Sequence, residues 1–202
     1  EIKMKNSIKI TSFILSLIML FTAFLPAAVY AAEQDTLYIR SEGDLVKLAK
    51  RCSLDTWSVG KTVILEKDID LSKSKFKNIP YFSGEFNGNM HTIKGLKVSD
   101  SASTSGFFRY IAEGAVVYDL NLEADINPPG KQENIGGLCG KNSGTIRSCS
   151  FDGKVDGKNY VGGIAGRNTS AGKIYNCTSK GHVYGEHYTG GIAGDNLGQI
   201  IG

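Results

Sequence analysis

Residues 135–160 read IGGLCGKNSGTIRSCSFDGKVDGKNY, residues 161–188 read VGGIAGRNTSAGKIYNCTSKGHVYGEHY, and residues 189–202 read TGGIAGDNLGQIIG. These are two complete units of nearly equal length and a third that ends about halfway. The difference between the first two is confined to the stretch between Asn168 and Gly172, where Thr169, Ser170 and Ala171 replace the single Ser143. Beyond that insertion one constant offset relates Ile146 to Ile174, Cys149 to Cys177, Gly153 to Gly181, Val155 to Val183, Gly157 to Gly185 and Tyr160 to Tyr188. A looser copy lies upstream in SGFFRYIAEGAVVYDLNLEADI, residues 105–126, with Gly114 matched to Gly144, Val117 to Ile146 and Leu120 to Cys149.

A period in the twenties is that of a solenoid, in which each unit buries its apolar face only by stacking on its neighbours. Helical units are excluded by glycine: three in five residues at Gly136–Gly140 would each cost about 1 kcal/mol in a helix. Eighteen of the 25 glycines fall between Gly130 and Gly202, with only 4 prolines in the chain and no three-residue period, so collagen is excluded too. The alternation across Thr145–Phe151 predicts a strand bounded by turns at Asn142–Gly144 and Asp152–Gly153. Each unit is then one coil of an all-β solenoid with two or three short strands per turn, and equivalent side chains stack into ladders. Asn142, Asn168 and Asn196 form an asparagine ladder at a turn, and Ile146, Ile174 and Ile200 an apolar ladder inside. The glycine pairs Gly136–Gly137, Gly162–Gly163 and Gly190–Gly191 mark places where a Cβ would clash or where the chain takes positive φ.

Outward from the repeats, residues 61–134 read as irregular first coils, with strand-like pieces at Thr62–Glu66, Asp68–Leu71 and Phe82–Val98. Residues 32–60 read as a lid: Ser41 is a candidate N-cap with Asp44 three residues on, and Leu45, Leu48, Ala49 and Cys52 recur at helical spacing. An amphipathic helix over Glu42–Cys52 would cover the unpaired edge of the first coil, with Trp57 anchoring it. At the other end Ile200, Ile201 and Gly202 stop midway through a coil, so the expectation is a chain truncated at its C-terminal end, a fragment of a longer protein.

Residues 1–31 have the anatomy of a signal peptide: Lys5 and Lys9, an apolar run over Phe13–Leu25, Pro26, then small residues with cleavage expected after Ala31. An uncleaved anchor over Ile10–Ala32 is the alternative. About 170 residues then remain, the size of one domain. The net charge is +3, and the leader carries three lysines against one glutamate, so the remainder is close to neutral. That excludes the basic footprint of a nucleic-acid binder and a polybasic membrane patch. Four cysteines in an exported chain raise a disulfide, Cys149 to Cys177 being the candidate pair. Against it, Cys139 occupies a slot filled by Ala165 and Ala193 in the other repeats, as a small core filler would.

GGLCGKNSGTI, GGIAGRN and GGIAGDNLGQI resemble the GLUG motif, and FSGEFNGNMHTIKGL, DLVKLAK and LEKDIDLS resemble the segments preceding such repeats. The resemblance spans about Leu37–Gly202. It implies a right-handed parallel β-helix of the pectate-lyase-like kind, as in bacterial exported and surface proteins and in the N-terminal region of immunoglobulin-A-cleaving zinc peptidases. The implied function is a non-catalytic structural or adhesive module of a larger secreted or cell-surface protein, with host or cell-surface glycans or proteins as partners. The motif brings no catalytic, cofactor-binding or metal residue with it.

Enzyme signatures fail residue by residue. His91, His182 and His187 do not begin His-Glu-x-x-His, and Gly60-Lys61-Thr62 lacks the first glycine of a phosphate loop, which is Asp55. Gly190–Asp195 departs from the calcium-binding nonapeptide. Two alternatives stay open: the stalk of a zinc peptidase, and a polysaccharide lyase or hydrolase, which needs paired carboxylates. Asp68 and Asp70 alternate so as to share a face, whereas Asp152, Asp156 and Asp195 look scattered. His91 reads as a turn residue. Tyr160 and Tyr188, with Tyr184 and His187 nearby, read either as packing between coils or as an aromatic ladder for a sugar.

Overall fold

The computed structural model describes residues 35–130 and 132–202. The expected leader over residues 1–31 lies outside the described residues. Strand β1 (Thr36–Ile39) and helix α1 (Glu42–Arg51) come first, then β2 (Thr62–Leu65) and β3 (Ile69–Asp70). The next two coils contribute β4 (Ile79–Phe82), β5 (Glu85–Asn87) and β6 (Thr92–Val98), then β7 (Phe108–Ile111), β8 (Val116–Tyr118) and β9 (Asn121–Ile126). The first full repeat gives β10 (Glu133–Gly136), β11 (Cys139–Asn142), β12 (Thr145–Arg147) and β13 (Ser150–Asp156). The second gives β14 (Asn159–Gly162), β15 (Ala165–Asn168), β16 (Lys173–Tyr175) and β17 (Thr178–Tyr184), and β18 (His187–Gly190), β19 (Ala193–Asn196) and β20 (Gln199–Ile201) follow. Strands stack in parallel in the orders β1-β2-β5-β8-β12-β16-β20, β3-β6-β9-β13-β17, β4-β7-β11-β15-β19 and β10-β14-β18. The architecture is a parallel β-helix of about six turns with one short helix near its start.

The repeats carry four strands per coil, more than the two or three expected. The stretch Thr145–Phe151 is two strands, broken where Ser148 takes φ 51°, and Asn176 at φ 48° breaks the next coil at the same place. Below them Asp119 has φ 53°. Small polar residues tolerate this left-handed conformation best, so the corner is a column of Asp, Ser and Asn. The turn expected at Asp152–Gly153 is instead the middle of β13. Gly153 is glycine because a Cβ there would run into the Ala124 carbonyl of the coil below. The upstream copy is in register at Val117, which pairs with Ile146. Gly114 is one residue out: Val116 pairs with Thr145, which sets Ala115 opposite Gly144.

Inside, the ladders are continuous. Val63, Phe86, Val117, Ile146, Ile174 and Ile200 form one column. The early coils are filled by Phe76, Phe82, Phe86, Phe107 and Phe108, several meeting edge to face. Later coils taper to small side chains, since Ile79 and Phe108 are followed in the same column by Cys139, Ala165 and Ala193.

Asn142, Asn168 and Asn196 stack as expected. Asn142 Nδ2 donates to Asn168 Oδ1 at 2.8 Å and Asn168 Nδ2 to Asn196 Oδ1 at 2.7 Å. Each amide also closes its own turn by donating to Gly144 O or Gly172 O, both at 3.2 Å. The ladder satisfies buried polar backbone that water cannot reach.

Helix α1 begins at Ser41, whose Oγ accepts from Asp44 N–H at 3.3 Å, while Asp44 Oδ2 accepts from Arg40 N–H at 3.2 Å. Leu45, Leu48 and Cys52 are buried and Trp57 packs partly against the same core, with the Arg51 and Lys61 cations 5.4 and 5.3 Å from its ring centroid.

Candidate functional site

Parallel stacking turns the outer surface into columns of side chains, so any site must be assembled from neighbouring coils. Asp68 and Asp70 do share the exposed side of a strand whose Ile69 is buried. Asp68 Oδ1 accepts from Thr92 N–H at 2.8 Å and lies 3.2 Å from His91 Nδ1. Asp70 Oδ1 accepts from Ser72 N–H at 2.8 Å. These main-chain bonds are the main reason that both carboxyls are held below the usual aspartate range. Both are fixed anions, the opposite of a raised-pKa general acid: Asp68 ties its coil to the next through Thr92, and Asp70 closes its own turn at Ser72. His91 follows Asn89 and Met90, both left-handed, and its contact with Asp68 spans that turn.

Tyr160 and Tyr188 stack at 4.9 Å between ring centroids, 17° from parallel, and the Arg167 guanidinium also lies over Tyr160 at 5.1 Å. The rings pack on one another between coils, which is the packing reading, and Tyr188 keeps 65% of its surface exposed. Tyr184 takes Lys154 at 5.3 Å and stacks with His182, while His187 pairs in register with Asn159 and is exposed.

Asp195 bonds Arg167 at 2.8 Å and Asp156 lies 3.3 Å from Lys154. Asp152, by contrast, is in register directly above Glu123. Glu123, Asp125, Asp152 and Lys97 line an open groove of about 440 Å³ whose floor includes Gly95 and Gly153. Two carboxylates on adjacent parallel strands are what sequence reading sought and missed. The signal was available, for Glu123 and Asp152 are separated by the same interval as Leu120 and Cys149. Their column continues as Lys94 on one side and Lys180 on the other, and the next column reads Lys97, Asp125, Lys154, His182. The second column alternates in sign, as cross-strand pairs do when they stabilise a sheet, whereas the first sets two like charges, Glu123 and Asp152, against each other between two lysines. Among the described residues, no group of three or more His, Cys, Asp and Glu could hold a metal ion.

The four thiols are free. Cys139 packs in the column of Ala165 and Ala193. Cys149 and Cys177 lie one above the other; the Cys149 thiol is pushed up by its hydrogen bond to Cys177 and by burial, and that bond lowers Cys177. Burial drives Cys52 up to about 11 and Cys139 further still. Iodoacetamide at mildly alkaline pH is therefore expected to label Cys177 first, and the other three only after denaturation, as read by peptide mass spectrometry. A native product unlabelled at Cys177 and lighter by two hydrogens would establish the Cys149–Cys177 disulfide instead.

Residues 132–156 and 157–184 match the family model described as the GLUG motif. The chain is a β-solenoid that carries two copies of this motif. A 93-residue stretch, 45% of this chain, is 32% identical to halomucin of Haloquadratum walsbyi and covers 1% of that protein. The crystal structure of a candidate immunoglobulin A1 protease from Bacteroides ovatus superposes with a TM-score of 0.61 at 19% identity, over 84% of this chain and 63% of that one. That likeness shows the shared fold. The GLUG-motif solenoid thus spans a small part of halomucin and less than two thirds of the protease-like chain. Among the described residues, no helix is long and apolar enough to cross a membrane.

Proposed function

We propose that this GLUG-motif solenoid is a non-catalytic structural or adhesive module of a larger secreted surface protein, exported by the leader over residues 1–31. The observation that carries the proposal is the unbroken parallel pairing of each coil with the next from β1 to β20. Such a stack is stiff along its axis, because no coil can bend away without breaking several main-chain bonds at once. Likeness to halomucin and to the protease-like chain supports an extracellular or surface setting. Host or cell-surface glycans or proteins are the partners this reading calls for, and the near-neutral charge of the chain beyond the leader argues against nucleic acid.

Glu123 and Asp152, stacked in one groove, support a second reading as a polysaccharide lyase or hydrolase. One experiment separates the two. The full chain is incubated with a polysaccharide panel while new reducing ends and unsaturated products are followed, and in parallel it is digested with trypsin. Persistence of a fragment from Asp35 to the repeats, with no glycan cleavage, is the expected result. Cleavage abolished by Glu123→Gln with Asp152→Asn would overturn the non-catalytic reading, and rapid trypsin digestion would overturn the structural one.

A further inference from the structure

On the outward side of the β4-β7-β11 sheet, Tyr81, Tyr110 and Lys141 occupy one column. The two rings are 6.2 Å apart and tilted by 39°, so unlike Tyr160 and Tyr188 they do not cover one another face to face. Two depressions meet at Tyr81, Ala112 and Glu113. One, of about 280 Å³, adds Tyr110, Lys141 and Ser143; the other, of about 500 Å³, adds Asp55, Thr56, Val59 and Ser83. Together they make a trough running from the turn after α1 across three coils.

Its walls are fixed. Ser83 N–H donates to the fully buried Ser58 Oγ at 2.8 Å, Ser83 Oγ donates to Asp55 O at 2.9 Å, and Tyr81 N–H donates to Cys52 O at 3.2 Å. Opposite, Ala112 N–H donates to Phe82 O and Ser143 N–H to Ile111 O, both at 2.8 Å. The groups facing the trough are not engaged: the Tyr81 and Tyr110 hydroxyls, the Glu113 carboxylate and the Lys141 ammonium have no protein partner among the described residues. Elsewhere on the outer surface Tyr118, Arg40, Lys61 and Arg167 are all paired.

We infer that this trough binds a neutral oligosaccharide. A pyranose has an apolar face of C–H groups that fits a tyrosine ring, and a rim of hydroxyls that donate to carboxylates and accept from an ammonium. Two tilted rings one coil apart, with Glu113 and Asp55 as acceptors and Lys141 as a donor, offer that complement. Two carboxylates against one ammonium repel sulfated and uronate-rich glycans. The inference rests on the adhesive form of the proposed function and places its site.

The test is a glycan array carrying neutral, sulfated and uronate-containing oligosaccharides, probed with the full chain, with calorimetric titration of the soluble form of any hit. Expected is binding of neutral oligosaccharides that falls about tenfold or more in Tyr110→Ala and in Tyr81→Ala. Tyr110→Phe should stay within about threefold, since the ring face is kept, and Glu113→Gln should lose several-fold. Tyr188→Ala, outside the trough on the Tyr160 stack, should bind as the parent does. Circular dichroism of each variant separates loss of binding from loss of fold, with the Phe and Gln variants as the milder probes. Neutral-glycan binding that survives both Tyr→Ala changes would overturn the trough and leave the adhesive reading standing. Binding only to sulfated or uronate features, only to proline-rich peptides, or to nothing on the array would also overturn it. A chain that binds nothing yet resists trypsin would keep the structural half of the proposed function alone.

Discussion

Asn168→Ala is expected to lower the stability of the solenoid by about 3 kcal/mol, read as a drop in the urea midpoint at unchanged slope. The Asn168 side chain is fully buried, accepts from Asn142 Nδ2 and donates to Asn196 Oδ1 and to the Gly172 carbonyl. Truncation removes an acceptor from a buried amide and a donor from a buried turn at once, and each group left without a partner costs about 1–3 kcal/mol. Asn196→Ala removes the same chemistry from an exposed rung, where water can replace it, and is expected to cost less than about 1 kcal/mol. Asn168→Asp keeps the acceptor for Asn142 but aims a charge at the Gly172 carbonyl. Its introduced carboxyl would have a raised folded-state pKa, so part of the lost stability should return as pH falls through that value and the neutral acid regains a donor. Equal losses for Asn168→Ala and Asn196→Ala would show that the ladder is a by-product of the register and not a source of stability.

The same contrast between inner and outer coils explains what could be read from the sequence. From residue 135 onward the columns keep their residue type, Asn on Asn and Ile on Ile, so spacing alone gives the register. Before that point the columns keep their place and change their chemistry. Phe82 and Ile111 lie in the column that becomes Asn142, Asn168 and Asn196, and Phe108 lies in that of Cys139 and Ala165. Early coils fill their interior with aromatic rings where later coils use small side chains, and nothing local marks a phenylalanine and an asparagine as equivalent. A bulge between Lys94 and Leu96 shifts the count once more. The candidate sites suffer most, because they are made of exposed residues in these irregular coils. Glu123 over Asp152 and Tyr81 beside Tyr110 share one separation along the chain, which carries meaning only once the coil length is known. The Asp68 and Asp70 pair shows the reverse failure. Alternation did place both on one face, but their main-chain bonds to Thr92 and Ser72 depend on where the next coil and the following turn run.

Gly137→Ala should destabilise by roughly 3–5 kcal/mol, with Gly191→Ala at the equivalent position of the last repeat within about 0.5 kcal/mol of the parent. A Cβ on Gly137 would run into the Gly163 carbonyl oxygen of the next coil and the ring of Phe151, reaching 2.6 Å from Phe151 Cε2. Neither can yield: the carbonyl belongs to the stacked main chain, and Phe151 is only 1% exposed. A Cβ on Gly191 would meet nothing within 4 Å. Neither glycine has positive φ, so no left-handed backbone strain enters and the difference reports the space between coils. Thermal unfolding followed by circular dichroism should show the first variant melting about 10 °C or more below the parent and the second unchanged. Gly137→Ala melting with the parent would mean that the coils at this corner are further apart than the close-contact stacking of parallel strands allows. The glycine pairs would then be there for flexibility, and the stiffness on which the proposed role depends would lose its physical basis.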